Sequence, residues 1–163
     1  MGRVPDDLSR LLGDKPSLLE RAPLTLGLVA LSRTLHGLIA EQLLTLGLYP
    51  GQELILMRLF DRDEQIQTTL QQSIGLDHST LSRSIRRMED AGLVTRHPDQ
   101  RDKRAMVVSL TPAGRALQPR LAEMWETLEA LTTDALGPDG QAGLLTALES
   151  LEHTLAEVRR RKN

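Results

Sequence analysis

The chain has 163 residues, 40% hydrophobic and 26% charged, with a net charge of −2; these values suit a soluble globular protein and exclude a disordered or strongly basic chain. There is no cysteine, which excludes disulfides, thiolate zinc sites, cysteine nucleophiles and thiol redox sensing. The first residues lack a continuous apolar signal segment, and no run approaches the roughly 18 apolar residues of a spanning helix, so a cytoplasmic protein without a membrane partner is expected.

Leu24 to Leu48 carries a helical pattern in which Leu28, Leu31, Leu35, Leu38, Gln42 and Leu46 recur at three- and four-residue steps. Tyr49-Pro50-Gly51 breaks it. A second helix is expected from Gly51 to Phe60, with Leu54, Ile55, Met57 and Leu59 apolar and Arg58 polar. The segment DRDEQ reads as a polar turn, and QTTLQQSIG as a short helix closed by Gly75. In LDHSTLSRSIRRMEDAG, Leu81, Ile85 and Met88 share one helix face, Asp77 or Ser79 can cap the start, and Gly92 ends the helix. Strands are expected at LVTRH and AMVVSL around the exposed turn PDQRDK. Thr111 and Pro112 then form a helix start. One helix carries Leu117, Leu121, Met124, Leu128 and Leu131; Gly137-Pro138 separates it from another with Leu144, Leu148, Leu151, Leu155 and Val158. Both sets alternate steps of four and three, a seam suited to helix pairing.

Charge is unevenly spread. From His78 to Arg104 there are seven bases (Arg83, Arg86, Arg87, Arg96, Arg101, Lys103, Arg104) and four acids, a net +3, which leaves −5 for the remainder. A basic patch on an acidic body is the footprint of a polyanion site, although a solvated charged face has the same composition. Two helices joined by the turn Gly75 to His78 resemble a helix-turn-helix, whose second helix enters the major groove. Ser79, Thr80 and Ser82 would let the backbone approach closely and bond phosphate or base edges. Arg83 and Arg86 would reach further, and arginine can read guanine O6 and N7 together. The only aromatics are Tyr49, Phe60 and Trp125, none in this helix, so duplex DNA suits the segment better than stacked single strands.

The motifs GLDHSTLSR, MEDAGLV and RDKRAMVVSLTPAGRAL, within Gln67 to Leu117, resemble the winged helix-turn-helix of the multiple antibiotic resistance regulator (MarR) family. The family's wing signature corresponds to Asp102, Arg104, Leu110, Thr111 and Gly114. Where the family often has alanine after the leucine of the first motif helix, this chain has Gln71; the small Ser84 on the next helix leaves room. The resemblance implies a mainly α (α+β) fold: an N-terminal dimerisation segment at 1–48, a winged helix-turn-helix lobe at 49–111 and C-terminal dimerisation helices at 112–163. It implies a homodimer on a pseudo-palindromic double-stranded operator. Arg104 would enter the minor groove, with Arg101 and Lys103 beside it and Asp102 holding a nearby arginine. His78 and Arg87 complete the expected DNA-binding set. A ligand pocket between the DNA-binding lobe and the dimerisation helices would draw on Arg33, His36, Tyr49, Met57 and Arg58, and would suit an anionic aromatic or phenolic effector.

No cofactor or metal is expected, because His36, His78, His97 and His153 show no metal-ligand spacing. No nucleophile order, phosphate loop or metal set supports an enzyme. The expected function is a repressor released by a small effector. The alternatives are a DNA-binding regulator without an effector and a winged-helix interaction module that no longer binds DNA.

Overall fold

The structure, a computed structural model, describes residues 21–162. The expected dimerisation segment at 1–48 is therefore seen only from Arg21, and its first 20 residues lie outside the described residues. The described residues form two compact units, divided after Gln118.

In the first unit, α1 (Pro23–Thr45) starts with proline at its first turn. It ends before the expected breaker. Gly47, at φ +73°, lets the amide of Leu48 reach the carbonyl of Leu43 (2.9 Å) and its own amide reach Leu44 (3.0 Å). This is a Schellman closure, with Leu48 fully buried behind it. The buried residues of this helix are Ala30 and Leu43, while Leu31, Leu35 and Leu38 of the recurring set lie exposed, Leu31 by 59%. A helix apolar on most sides does not reveal by periodicity which side its own chain covers. By length and composition α1 could also cross a membrane, with a mean hydropathy of 1.3 over 18 residues. That corrects the expectation that no segment could; Arg33, His36 and Glu41 interrupt its apolar sequence.

Helix α2 (Gln52–Asp61) is capped by its own first side chains. Gln52 Oε1 accepts from the Tyr49 amide (2.9 Å) and Glu53 Oε2 from the Gly51 amide (2.7 Å). Both side chains are buried, so these bonds satisfy groups that would otherwise be costly to desolvate. Burial raises the Glu53 carboxyl above its usual range, opposed by its own amide, the Gly51 amide and the charge of His36. Ile55, Leu56 and Leu59 point into the core.

The polar turn after α2 ends in a strand that the sequence did not reveal, β1 (Gln65–Ile66). It pairs with Val107 and Val108 of a strand 40 residues away in sequence. Next come α3 (Gln67–Ile74) and α4 (His78–Asp90), then β2 (Val94–Pro98) and β3 (Met106–Leu110). The sheet is antiparallel in the order β1-β3-β2, with Val94 opposite Leu110 and Pro98 opposite Met106. Leu81, Ile85 and Met88 of α4 are fully buried, as their spacing predicts. Each contributes about 1.5–3 kcal/mol by leaving water. Thr111 caps α5 (Pro112–Ala116) by accepting from the Gly114 amide (3.0 Å).

The last helix, α6 (Gln118–Lys162), is two helices joined at Gly137, which takes φ 66° and ψ 169°. Gly137-Pro138 thus separates them as expected. In the second unit Leu121, Met124 and Leu128 are buried, whereas Leu131, Leu148, Leu155 and Val158 are exposed, Leu155 by 64%.

Candidate nucleic-acid interface

The two motif helices meet through Gly75, which at φ +74° closes α3 as its amide donates to the Gln71 carbonyl (3.0 Å). Only Leu76 and Asp77 follow before α4, so His78 is the first helical residue rather than part of the turn. Of the two candidate caps, Asp77 serves. Its Oδ1 accepts from the Thr80 amide (2.9 Å) and from the Ser79 hydroxyl (2.6 Å). These bonds from Ser79 and Thr80 hold the Asp77 carboxyl far below its usual range.

With 100° between successive residues, the buried Leu81, Ile85 and Met88 turn Ser79, Arg83 and Arg86 to the opposite side. All three are exposed. His78 and Ser82 lie on one flank, Thr80 and Arg87 on the other. Arg83 lies back along the helix: Nε donates to the Ser79 carbonyl (3.2 Å) and Nη2 to its hydroxyl (3.4 Å). Arg87 is engaged elsewhere, with its guanidinium 5.9 Å from the centre of the Tyr49 ring. Arg96, counted in the basic segment, pairs with Glu89 across α4 and β2, its Nε donating at 2.9 Å. The bond from Arg96 outweighs the opposing effect of burial and holds the Glu89 carboxyl below its usual range.

The wing tip is built by two carboxylates. Asp99 Oδ1 accepts from the amides of Arg101 (2.7 Å) and Asp102 (2.9 Å), and those bonds hold its carboxyl below the usual range. Asp102 Oδ1 accepts from the Arg104 amide (3.0 Å). Asp102 therefore engages an arginine as anticipated, but by its main chain. Arg101, Lys103 and Arg104 stand exposed around this turn.

The root of the wing depends on groups that sequence reasoning missed. Asp63 Oδ1 accepts from the Leu110 amide (2.9 Å) and the Glu64 amide (2.8 Å), and its other oxygen pairs with Arg115. Burial alone would raise this carboxyl, but the amides and Arg115 outweigh it and the net shift is downward. Thr111 donates its hydroxyl to the Gly92 carbonyl (2.6 Å), and its amide reaches the Leu93 carbonyl (3.1 Å). Nothing near Asp63 in sequence announces these partners. Asp99 was more legible, since aspartate after proline is a turn signal.

Two cavities among the described residues hold three of the five expected ligand residues. Tyr49 lines a space of about 610 Å³ with Gly47, Gln52, Arg87, Asp90 and Ala91. Met57 and Arg58 line another of about 240 Å³ with Leu54, Asp61, Ser73 and Ile74, and Arg58 Nη2 donates to the Ser73 carbonyl (3.3 Å). His36 Nδ1 lies 2.7 Å from the Ser32 carbonyl on α1, the helix that also carries Arg33.

A helix-turn-helix with arginines on the outer side of its second helix, followed by a braced basic wing, defines the winged helix-turn-helix class of DNA-binding proteins. Comparison with known proteins narrows the class. The MarR family profile matches residues 48–106. The Organic hydroperoxide resistance transcriptional regulator of Bacillus subtilis is 31% identical over 115 residues, spanning 71% of this chain and 74% of that protein. The chain belongs to the MarR family of transcriptional regulators, which are DNA-binding proteins and not enzymes. A mutant MarR from E. coli complexed with operator DNA has the same fold, with a TM-score of 0.74 at 24% identity over 84% of this chain and 99% of that one. The PcaV regulator of Streptomyces coelicolor, solved with its natural ligand, superposes with a TM-score of 0.66 at 23% identity, covering 76% of this chain and 90% of that one.

Proposed function

We propose that the chain acts in the cytoplasm as a homodimeric repressor that binds a pseudo-palindromic operator and releases it when a small aromatic or phenolic effector binds. The DNA lobe is assigned to residues 49–111 and dimerisation to 1–48 and 112–163. The observation that carries the reading is the outward row Ser79, Arg83 and Arg86 beside a wing that exposes Arg101, Lys103 and Arg104. In this reading Arg83 and Arg86 read base edges, Ser79, Thr80, Ser82 and His78 lie close to the duplex, and Arg104 enters the minor groove. Arg87, over Tyr49, is assigned to the helix flank rather than to a base. The operator-bound MarR and ligand-bound PcaV of the same fold support both halves of the reading.

Selection of duplexes from a random pool tests the DNA half. Arg83→Ala should relax one position of each half-site at a cost of about 1–3 kcal/mol. Arg104→Ala should weaken chiefly sites with A·T-rich flanks, whose narrow minor groove concentrates negative potential. Uniform losses on every sequence would make both arginines phosphate contacts. A wild-type chain that enriches no sequence would favour the interaction-module alternative.

The effector half rests on the cavities that hold Tyr49 and Met57–Arg58, each combining apolar walls with an arginine. The related hydroperoxide-resistance regulator raises the question of oxidant sensing, but this chain has no thiol to oxidise. An anionic aromatic compound should therefore weaken DNA binding, and DNA should weaken the compound's binding by the same factor. Titration of both ligands reads this directly. Tight binding of such compounds with independent DNA affinity would leave a regulator without this effector.

A further inference from the structure

We propose that Ser79, held by Asp77, aims Arg83 and thereby sets which base pair α4 reads. The inference rests on the reading of Arg83 as a base contact. An exposed arginine samples many rotamers, and that freedom must be lost before two of its donors can meet one base. Here the side chain is tethered at two points, Nε to the Ser79 carbonyl (3.2 Å) and Nη2 to the Ser79 hydroxyl (3.4 Å).

The direction of each hydrogen bond follows from the chemistry. Guanidinium can only donate and ionised carboxylate can only accept. The Ser79 hydroxyl has one proton, and it points to Asp77 Oδ1 at 2.6 Å. Toward Arg83 the same oxygen can only accept. The chain of bonds therefore runs one way, from Arg83 to Ser79 to Asp77. Asp77 is itself fixed at the helix start by the Thr80 amide (2.9 Å). The bonds from Ser79 and Thr80 hold its carboxyl far below the usual range, which keeps it ionised and so an acceptor.

Two consequences separate Ser79 from an ordinary interface hydroxyl. Its proton is committed to Asp77, so it has none to offer a phosphate oxygen or a purine acceptor. With Nε turned to the helix, the end of the guanidinium keeps parallel N–H groups on Nη1 and Nη2, the pair that matches O6 and N7 of guanine. Ser79 is thus a positioning residue, and its removal should alter preference at the base pair of Arg83 rather than affinity for DNA in general.

The test compares Ser79→Ala, Ser79→Thr, Arg83→Ala and the Ser79→Ala/Arg83→Ala double variant on operators with each half-site position varied. The Asp77 cap does not use Ser79 for its Thr80 bond, so the helix start is retained, and thermal melting checks this. Ser79→Ala should reduce discrimination at the position that Arg83→Ala relaxes by about three- to tenfold, and in the Arg83→Ala background it should change that position by less than about twofold. Ser79→Thr, which keeps the hydroxyl, should retain the preference. The salt dependence of binding should not change with Ser79→Ala, because no phosphate contact is lost. If Arg83→Ala relaxes one position and Ser79→Ala leaves it intact, or if the two effects add, this inference is overturned alone. If Arg83→Ala relaxes no position, the base-reading role falls and the inference with it.

Discussion

Gly114→Ala is expected to destabilise the protein by about 3 kcal/mol or more, at the upper end of the cost of forcing an extra methyl group into packed structure. A Cβ at this position would stand 2.1 Å from the Leu93 carbonyl oxygen and 3.3 Å from Leu110 Cδ2. The oxygen belongs to the main chain and already accepts the Thr111 amide at 3.1 Å. It cannot swing aside as a side chain could. Either α5 lifts away from the start of β2 or the Thr111 bonds break. In a chain of this size the loss should lower the melting temperature by about 5–10 °C. Gly75→Ala is the control: Gly75 also requires its type, at φ +74°, but nothing lies within 4 Å of its Cβ position. There only backbone strain of about 1–2 kcal/mol is expected. Equal melting temperatures for the two variants would show that the close approach of α5 to Leu93 does not hold in solution.

Replacing Leu148 and Leu151 together by aspartate should abolish the proposed dimer and reduce operator affinity by at least about a hundredfold, because one recognition helix would then bind where the proposal needs two. The two leucines belong to a row with Leu144, Leu155 and Val158 on the last helix, and Leu148, Leu155 and Val158 lie exposed in the single chain. The exposed leucines of α1 raise the same question. Apolar faces of this extent mark surfaces that another chain covers, and a self-complementary two-fold contact is the simplest cover. No DNA-contacting side chain is altered by these substitutions. Sedimentation and DNA titration together decide the matter. A monomer that still holds the full operator tightly, or a dimer that survives both aspartates, would remove these helices from assembly.

The local parts of the fold were the legible ones. Leu81, Ile85 and Met88, with Asp77 before them and Gly92 after, encode α4 within one short stretch, and the wing and the Thr111-Pro112 start are equally self-contained. The rest depends on partners distant in sequence. Two residues, Gln65 and Ile66, cannot announce a strand whose mate lies at Val107 and Val108. Arg96 counts as a free base until β2 brings it to Glu89, and nothing near Arg87 in sequence shows that the turn after α1 brings Tyr49 beneath it. On α1 the recurring leucines gave the helix, and the residues that its own chain covers, Ala30 and Leu43, depend on partners elsewhere in the fold. A cavity is a property of several elements at once, and no spacing predicts that Tyr49 and Met57 line different ones.

The wing has the mechanics of a cantilever. Its tip is stiffened by Asp99 and Asp102, and its root is clamped by Asp63 at Leu110 and by Thr111 at Gly92 and Leu93. Five-residue strands give a lever arm of about 17 Å, so a rotation of only about 10° at the clamp would carry the tip through about 3 Å. That is the length of a hydrogen bond. Small tilts at the Asp63 clamp, too slight to register as lost stability, would lift the Arg104 end of the beam out of reach of a groove. Groups that never approach DNA would then govern how firmly it is held.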